Sequence, residues 1–140
     1  MHHAVRQPTI FYPAMLMLLA ALWHPADAGA REPRGWQTME VTATSFTLAE
    51  DETKRGNVGL TAFGDLLEPT SKAIAVSRDL LRKGLSYGTK IRVEGLPGVY
   101  TVRDKMHRRW RDKIDILFAR KKRALEWGRQ TVTIRYLPTR

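Results

Sequence analysis

The chain has no cysteine among its 140 residues. That excludes disulfides and thiolate metal sites, so packing alone must hold the fold together. Histidine is scarce as well: His107 is the only one beyond residue 30. A lone histidine does not make a zinc site, which takes about three or four clustered ligands. No phosphate-cradling glycine loop and no dinucleotide fingerprint occurs, so no metal and no cofactor is implied. Long apolar runs are missing too. The longest, Ala14–Trp23, has ten residues, half of the roughly 20 needed to span a bilayer. There are no internal repeats. Acidic charge is in deficit, with 14 Asp and Glu against 24 Lys and Arg, for a net charge of +10.

The short apolar run has a different meaning. A polar segment with Arg6 precedes it, and Ala26-Asp27-Ala28-Gly29-Ala30 follows. This is the order of a secretory signal peptide, cleaved after Ala28 or Ala30. The sequence therefore predicts an exported protein, in the periplasm or outside the cell, with no stable membrane anchor after cleavage. Residues 1–30 form the signal peptide, 31–38 a flexible lead-in and 39–140 one small domain. Loss of residues 1–30 removes Arg6 and Asp27 and leaves the net charge unchanged. A basic exported protein suits a polyanionic envelope surface. Export argues against nucleic acid.

Short alternating segments dominate the domain. Strands are expected at 39–47, 72–76, 89–94, 99–102, 113–117 and 130–137. Gly95 to Gly98 is a tight turn between two of them. Residues 78–83 suit one helical turn. Residues 119–127 suit a helix capped by Gly128, with Ala124 and Trp127 turned inward. The fold expected is mostly β, a small six-stranded barrel with one short helix near the carboxyl terminus. Closure removes exposed strand edges in so small a domain.

The candidate site lies between Thr101 and Ala119. Asp104 and Asp115 each follow apolar or β-prone residues. Between them stand Lys105, Met106, His107, Arg108, Arg109, Trp110 and Arg111. Two carboxylates at strand ends can meet in one cleft, and glycosidic cleavage needs a carboxylic acid to protonate the leaving oxygen. Trp110, Tyr100 and Tyr87 have flat faces that suit sugar rings. Gly84-Leu85-Ser86-Tyr87-Gly88 is a literal G-x-S-x-G, but a strand follows it where a nucleophile elbow requires a helix.

These pieces together resemble the three-aspartate (3D) domain. They are Val41–Thr44, Thr61-Ala62-Phe63-Gly64, Ala73–Val76, Leu85–Ile91, Asp104, Lys113-Ile114-Asp115-Ile116 and the Trp127-Gly128 before a Val-Thr-Ile strand, in the family's order. The resemblance implies a double-psi β-barrel related to membrane-bound lytic transglycosylase A, and more distantly to rare lipoprotein A and the expansins. It implies a peptidoglycan lytic transglycosylase with Asp115 as acid then base, supported by Asp104. It also implies substrate contacts from Thr61, Ser77, Asp79, Arg103, His107 and Trp110. The sequence departs from the family twice. Ser77 stands where the first aspartate is expected, with Asp79 two positions on. The loop after Asp104 carries arginines and a tryptophan in place of glycines. Two other readings stay open: an expansin-like module that grips peptidoglycan without cutting it, and a basic envelope protein that binds an acidic polymer.

Overall fold

Six strands close into a barrel in the order β1-β5-β2-β4-β3-β6, and β6 pairs back onto β1. The strands are β1 (Gln37–Phe46), β2 (Ala73–Val76), β3 (Lys90–Val93), β4 (Tyr100–Lys105), β5 (Lys113–Leu117) and β6 (Gln130–Leu137). Two short helices complete the chain, α1 (Arg78–Arg82) and α2 (Lys121–Trp127). This computed structural model describes residues 34–49 and 58–139. The expected signal peptide falls outside the described residues. The described residues belong to one compact unit, Glu32–Arg140.

The architecture is a small double-psi β-barrel. β1 runs parallel to β5, and β2 runs parallel to β4. The remaining neighbours are antiparallel. Alternation decides which side chains enter the barrel. Val41 and Ala43 of β1, Ile91 and Val93 of β3, and Val132, Ile134 and Tyr136 of β6 point into one core. Ile74, Val102, Ile114 and Ile116 are fully buried at its centre. Each such side chain contributes about 1.5–3 kcal/mol by leaving water, and in a chain without cysteine this core replaces the missing cross-links.

β2 and β5 differ from the other strands because almost every residue in them is buried. Their inward residues fill the barrel. Their outward residues are covered by segments laid over the wall. Leu67, Ala73 and Leu117 form a second apolar cluster there, joined by Phe46 and Leu48. The outer wall at β1-β5-β2-β4 is thus a floor with structure built on top of it.

Two expectations are revised. The helical turn expected after β2 is a true five-residue helix, α1, so the barrel has two helices where the sequence predicted one near its end. β4 does not stop at Val102 but continues through Asp104 to Lys105. Asp104 therefore lies inside a strand, held there by continued pairing with β2.

Candidate functional site

A cavity of about 540 Å³ opens on that outer wall. Asp115, Asp104, Thr61, His107 and Trp110 all line it. Strand register brings Asp104 and Asp115 together, and the segments at 58–67 and 106–112 carry Thr61, His107 and Trp110 to the same cavity.

That register is the key to the site. Asp115 of β5 lies opposite Thr44 of β1 and opposite Ala75 of β2. Ala75 in turn lies opposite Asp104 of β4. One row therefore crosses the wall: Thr44, Asp115, Ala75, Asp104. Two strand spacings separate the aspartates, about 9–10 Å between α-carbons. A methyl group, Ala75, forms the floor between them. Asp104 reaches this row because the β2–β4 register slips between Ile74 and Ala75: Val102 pairs with Ile74, and Arg103 is passed over. Such an extra residue breaks the alternation of a strand and re-aims the side chains beside it.

Thr44 Oγ1 donates a 2.8 Å hydrogen bond to Asp115 Oδ1. Lys113, two residues before Asp115, shares its outward face. Its ammonium sits 3.8 Å from the Trp110 ring centroid, and Arg109 stacks on the same ring at 4.7 Å. Burial pushes the Lys113 ammonium below the usual lysine range, while the Asp115 charge pulls it back up and Arg129 and Arg109 push it down. Trp110 is thus fixed to the wall by cations at the end of the cavity where Met106 and His107 also lie.

The opposite end is apolar, lined by Phe46, Leu48, Leu60 and Leu67. A hairpin over residues 58–67 forms that wall. Leu60 bridges to Leu66, and Leu67 N–H donates to Gly59 O. Gly59 has φ +82°, and a Cβ there would stand 2.6 Å from Leu67 O, so only glycine fits this close backbone approach. The Thr61 hydroxyl accepts from the N–H groups of Phe63 and Asp65 and fixes the tip.

Ser77, Asp79 and Arg103 lie outside the cavity lining, for reasons the hydrogen bonds make plain. Ser77 is fully buried, and its Oγ accepts from Lys113 N–H at 3.0 Å. Asp79 Oδ2 accepts from Asp112 N–H at 2.9 Å, holding Asp112 at φ +45°. Burial raises the proton affinity of Asp79, but the hydrogen bonds from Asp112 and Ser77 outweigh it and leave the carboxyl below its ordinary range. Both residues stitch the start of α1 to the chain entering β5. Arg103 pairs with Asp65 at 2.6 Å.

Phe46, Leu48, Gly59, Leu60, Leu67 and Ala75 line the cavity without a signal in the sequence that marks them, and none marks Thr44 as the partner of Asp115, whereas Lys105 and Met106 fall within the expected stretch. The period-2 pattern of β1 does place Thr44 and Phe46 on one face. Nothing in the sequence announces that this face is covered. Among the described residues no cluster of three or more His, Asp or Glu is arranged to hold a metal.

No family model matches the chain, and no curated protein matches it in sequence. Solved structures do match in fold. The Streptomyces papain inhibitor is 22% identical with a TM-score of 0.51, covering 72% of this chain and 94% of that one. Expansin from Clavibacter michiganensis is 23% identical in its apo form, with a TM-score of 0.44 over 74% of this chain. A point mutant of that expansin, in complex with cellohexaose, is 21% identical with a TM-score of 0.43. This chain spans about half of the expansin, 51% of its length. The likeness is one of fold: a six-stranded double-psi barrel.

Proposed function

We propose that this is an exported cell-envelope protein whose outer groove binds polysaccharide, with peptidoglycan glycan strands as the ligand and a non-hydrolytic mode of action. The observation that carries this reading is the single cavity in which Asp115, Asp104, Thr61, His107 and Trp110 converge. An open groove of this size, with carboxylates over a small-residue floor and an aromatic ring at one end, suits a hydroxyl-rich chain with flat apolar faces.

The engagement of the other carboxylates supports the non-hydrolytic part. A glycoside hydrolase normally needs two carboxyl groups at the scissile bond. Asp79 is turned away to hold Asp112. Asp104 accepts the Ala62 N–H at 2.8 Å. Asp115, itself accepting from Thr44 Oγ1, is the carboxyl at the centre of the groove.

One carboxyl suffices for binding, and also for a lytic transglycosylase, the second reading. There Asp115 donates its proton to the leaving glycosidic oxygen as the bond to the anomeric carbon breaks. The C6 hydroxyl of the same muramyl sugar attacks that carbon and returns its proton to Asp115, so no water is consumed. The half-buried position of Asp115 beside Thr44 favours this reading, because it leaves the carboxyl in reach of a strand lying in the groove.

Purified peptidoglycan incubated with the wild-type and Asp115→Asn proteins, followed by mass spectrometry and co-sedimentation, tests both. Wall binding weakened by Asp115→Asn, without soluble product, establishes the binding module. Soluble 1,6-anhydro products that vanish in the variant establish the transglycosylase. Reducing-end products overturn the non-hydrolytic reading, and neither binding nor release overturns the glycan groove. Papain, the target given in the Streptomyces neighbour's name, serves as a control for inhibition.

A further inference from the structure

We infer that Arg103 and Asp104 form a two-residue clasp that positions the 58–67 hairpin as a wall of the groove, and that Asp104 acts through this wall rather than by proton transfer. The affinity part of the inference rests on the glycan-groove reading. The clasp itself does not.

A regular strand would send two consecutive residues to opposite faces. The register slip at Ile74/Ala75 removes that constraint. Arg103 and Asp104 both reach the same hairpin. Arg103 Nε donates to Asp65 Oδ2 at 2.6 Å. Asp104 Oδ1 accepts from the Ala62 N–H at 2.8 Å. The two anchor points lie on either side of the tip, and Thr61 ties the tip together from within through the N–H groups of Phe63 and Asp65. Two grips on a preorganised turn fix its position and its tilt.

Other contacts brace the same unit. The Phe63 ring meets Tyr87 edge-on with centroids 5.3 Å apart, and Tyr87 helps to hold the Asp65 carboxyl below its ordinary range. Lys105, the next residue along β4, places its ammonium 5.2 Å from the Phe63 centroid. Three consecutive residues of β4 therefore hold one hairpin. That hairpin supplies Gly59, Leu60, Thr61, Ala62 and Leu67 to the cavity lining. Movement of Ala62 moves the wall.

Asp104 Oδ1 also accepts the Lys105 N–H at 2.8 Å. Two backbone donors thus converge on one carboxylate oxygen. Both need an acceptor, and neither needs a charge. An asparagine oxygen satisfies them, whereas an alanine leaves the Ala62 N–H without its partner. A proton-transferring or charge-bearing aspartate would behave oppositely, since asparagine can neither transfer the proton nor carry the charge.

The test compares D104A and D104N by hydrogen exchange at the Ala62 amide and by co-sedimentation with peptidoglycan. D104A should speed exchange at Ala62 about tenfold and weaken wall binding. D104N should keep exchange at the Ala62 amide within about threefold of wild type. D115N should leave Ala62 exchange unchanged. Unchanged exchange in D104A overturns the clasp. D104N that keeps Ala62 protected yet loses wall binding as fully as D104A also overturns the inference, because the charge then contacts the ligand. If D104A does not fold, Arg103→Met and Asp65→Asn release the second anchor, and unchanged exchange at Ala62 and Asp65 in both overturns the clasp. Should the wild type bind no glycan, the glycan reading falls while the exchange measurements still decide the clasp.

Discussion

Thr44 and Asp115 face each other across the parallel strands β1 and β5, and the threonine hydroxyl donates to Oδ1 of the aspartate at 2.8 Å. This bond fixes one oxygen of the groove's central carboxyl toward β1. It also explains why a threonine on the outer face of β1 matters when its neighbours inside the barrel are apolar. Thr44→Val keeps the shape and removes the donor. The fold should persist, because Thr44 is outside the core. Wall binding should weaken about fivefold, the worth of a hydrogen bond of roughly 1 kcal/mol. Co-sedimentation at graded wall concentrations measures it, and an unchanged affinity would show that Asp115 needs no orienting partner.

Ala75 is the floor between the two aspartates, and its size is the reason a cavity exists there. Its side chain faces outward, away from the packed barrel interior. Ala75→Leu should fill the groove and reduce wall binding more than tenfold. The melting temperature should move only a few degrees, because the added carbons enter open space rather than a close-packed core. A large loss of stability with intact binding would place the ligand elsewhere.

The sequence showed the strands better than their meeting points. β5 and β6 occupy the expected residues 113–117 and 130–137, because Ile114 and Ile116, then Val132, Ile134 and Tyr136, alternate cleanly. β4 was cut short at Val102, since Arg103, Asp104 and Lys105 carry no apolar alternation. Their strand geometry comes from pairing with β2, roughly thirty positions away. The aspartate pair was legible, but its setting was not. Spacing along the chain says nothing of the register slip that puts Asp104 beside Ala75. Likewise, Ser77 and Asp79 stand where the resemblance expects the first aspartate, yet tertiary hydrogen bonds to Lys113 and Asp112 take both away from the groove.

Ile74 and Ile116 lie opposite each other on β2 and β5 and are both fully buried. They pack beneath the row that carries the site. Ile116→Ala should cost about 2–5 kcal/mol, the usual range for a large-to-small change in a closed core. In a domain near 100 residues that lowers the melting temperature by roughly 10 °C or more. Calorimetry checks it. A cost below about 1 kcal/mol would mean that the barrel collapses freely around the void, contrary to a core closed on all sides by hydrogen-bonded strands.

Asp65 sets the pH dependence of the hairpin. Its carboxyl is held below the ordinary range, first by the hydrogen bond from Arg103 and next by that from Tyr87, with burial opposing both. A folded-state value below the unfolded one of about 3.9 means that folding favours the charged form. The Arg103–Asp65 contribution to hairpin order is therefore fully present above about pH 4 and is lost as pH falls through the lower, folded value. The carboxyl carbon of Asp65, followed by NMR, should titrate below the ordinary aspartate midpoint. Arg103→Met should move that midpoint upward, and Tyr87→Phe should move it upward by less. Amide protection at Asp65 should stay constant from neutral pH to about pH 5 and decline only in the acid range where its carboxyl protonates. A midpoint indifferent to Arg103 would show that the 2.6 Å contact is not maintained in solution, and the hairpin would then rest on Asp104 and its aromatic neighbours alone.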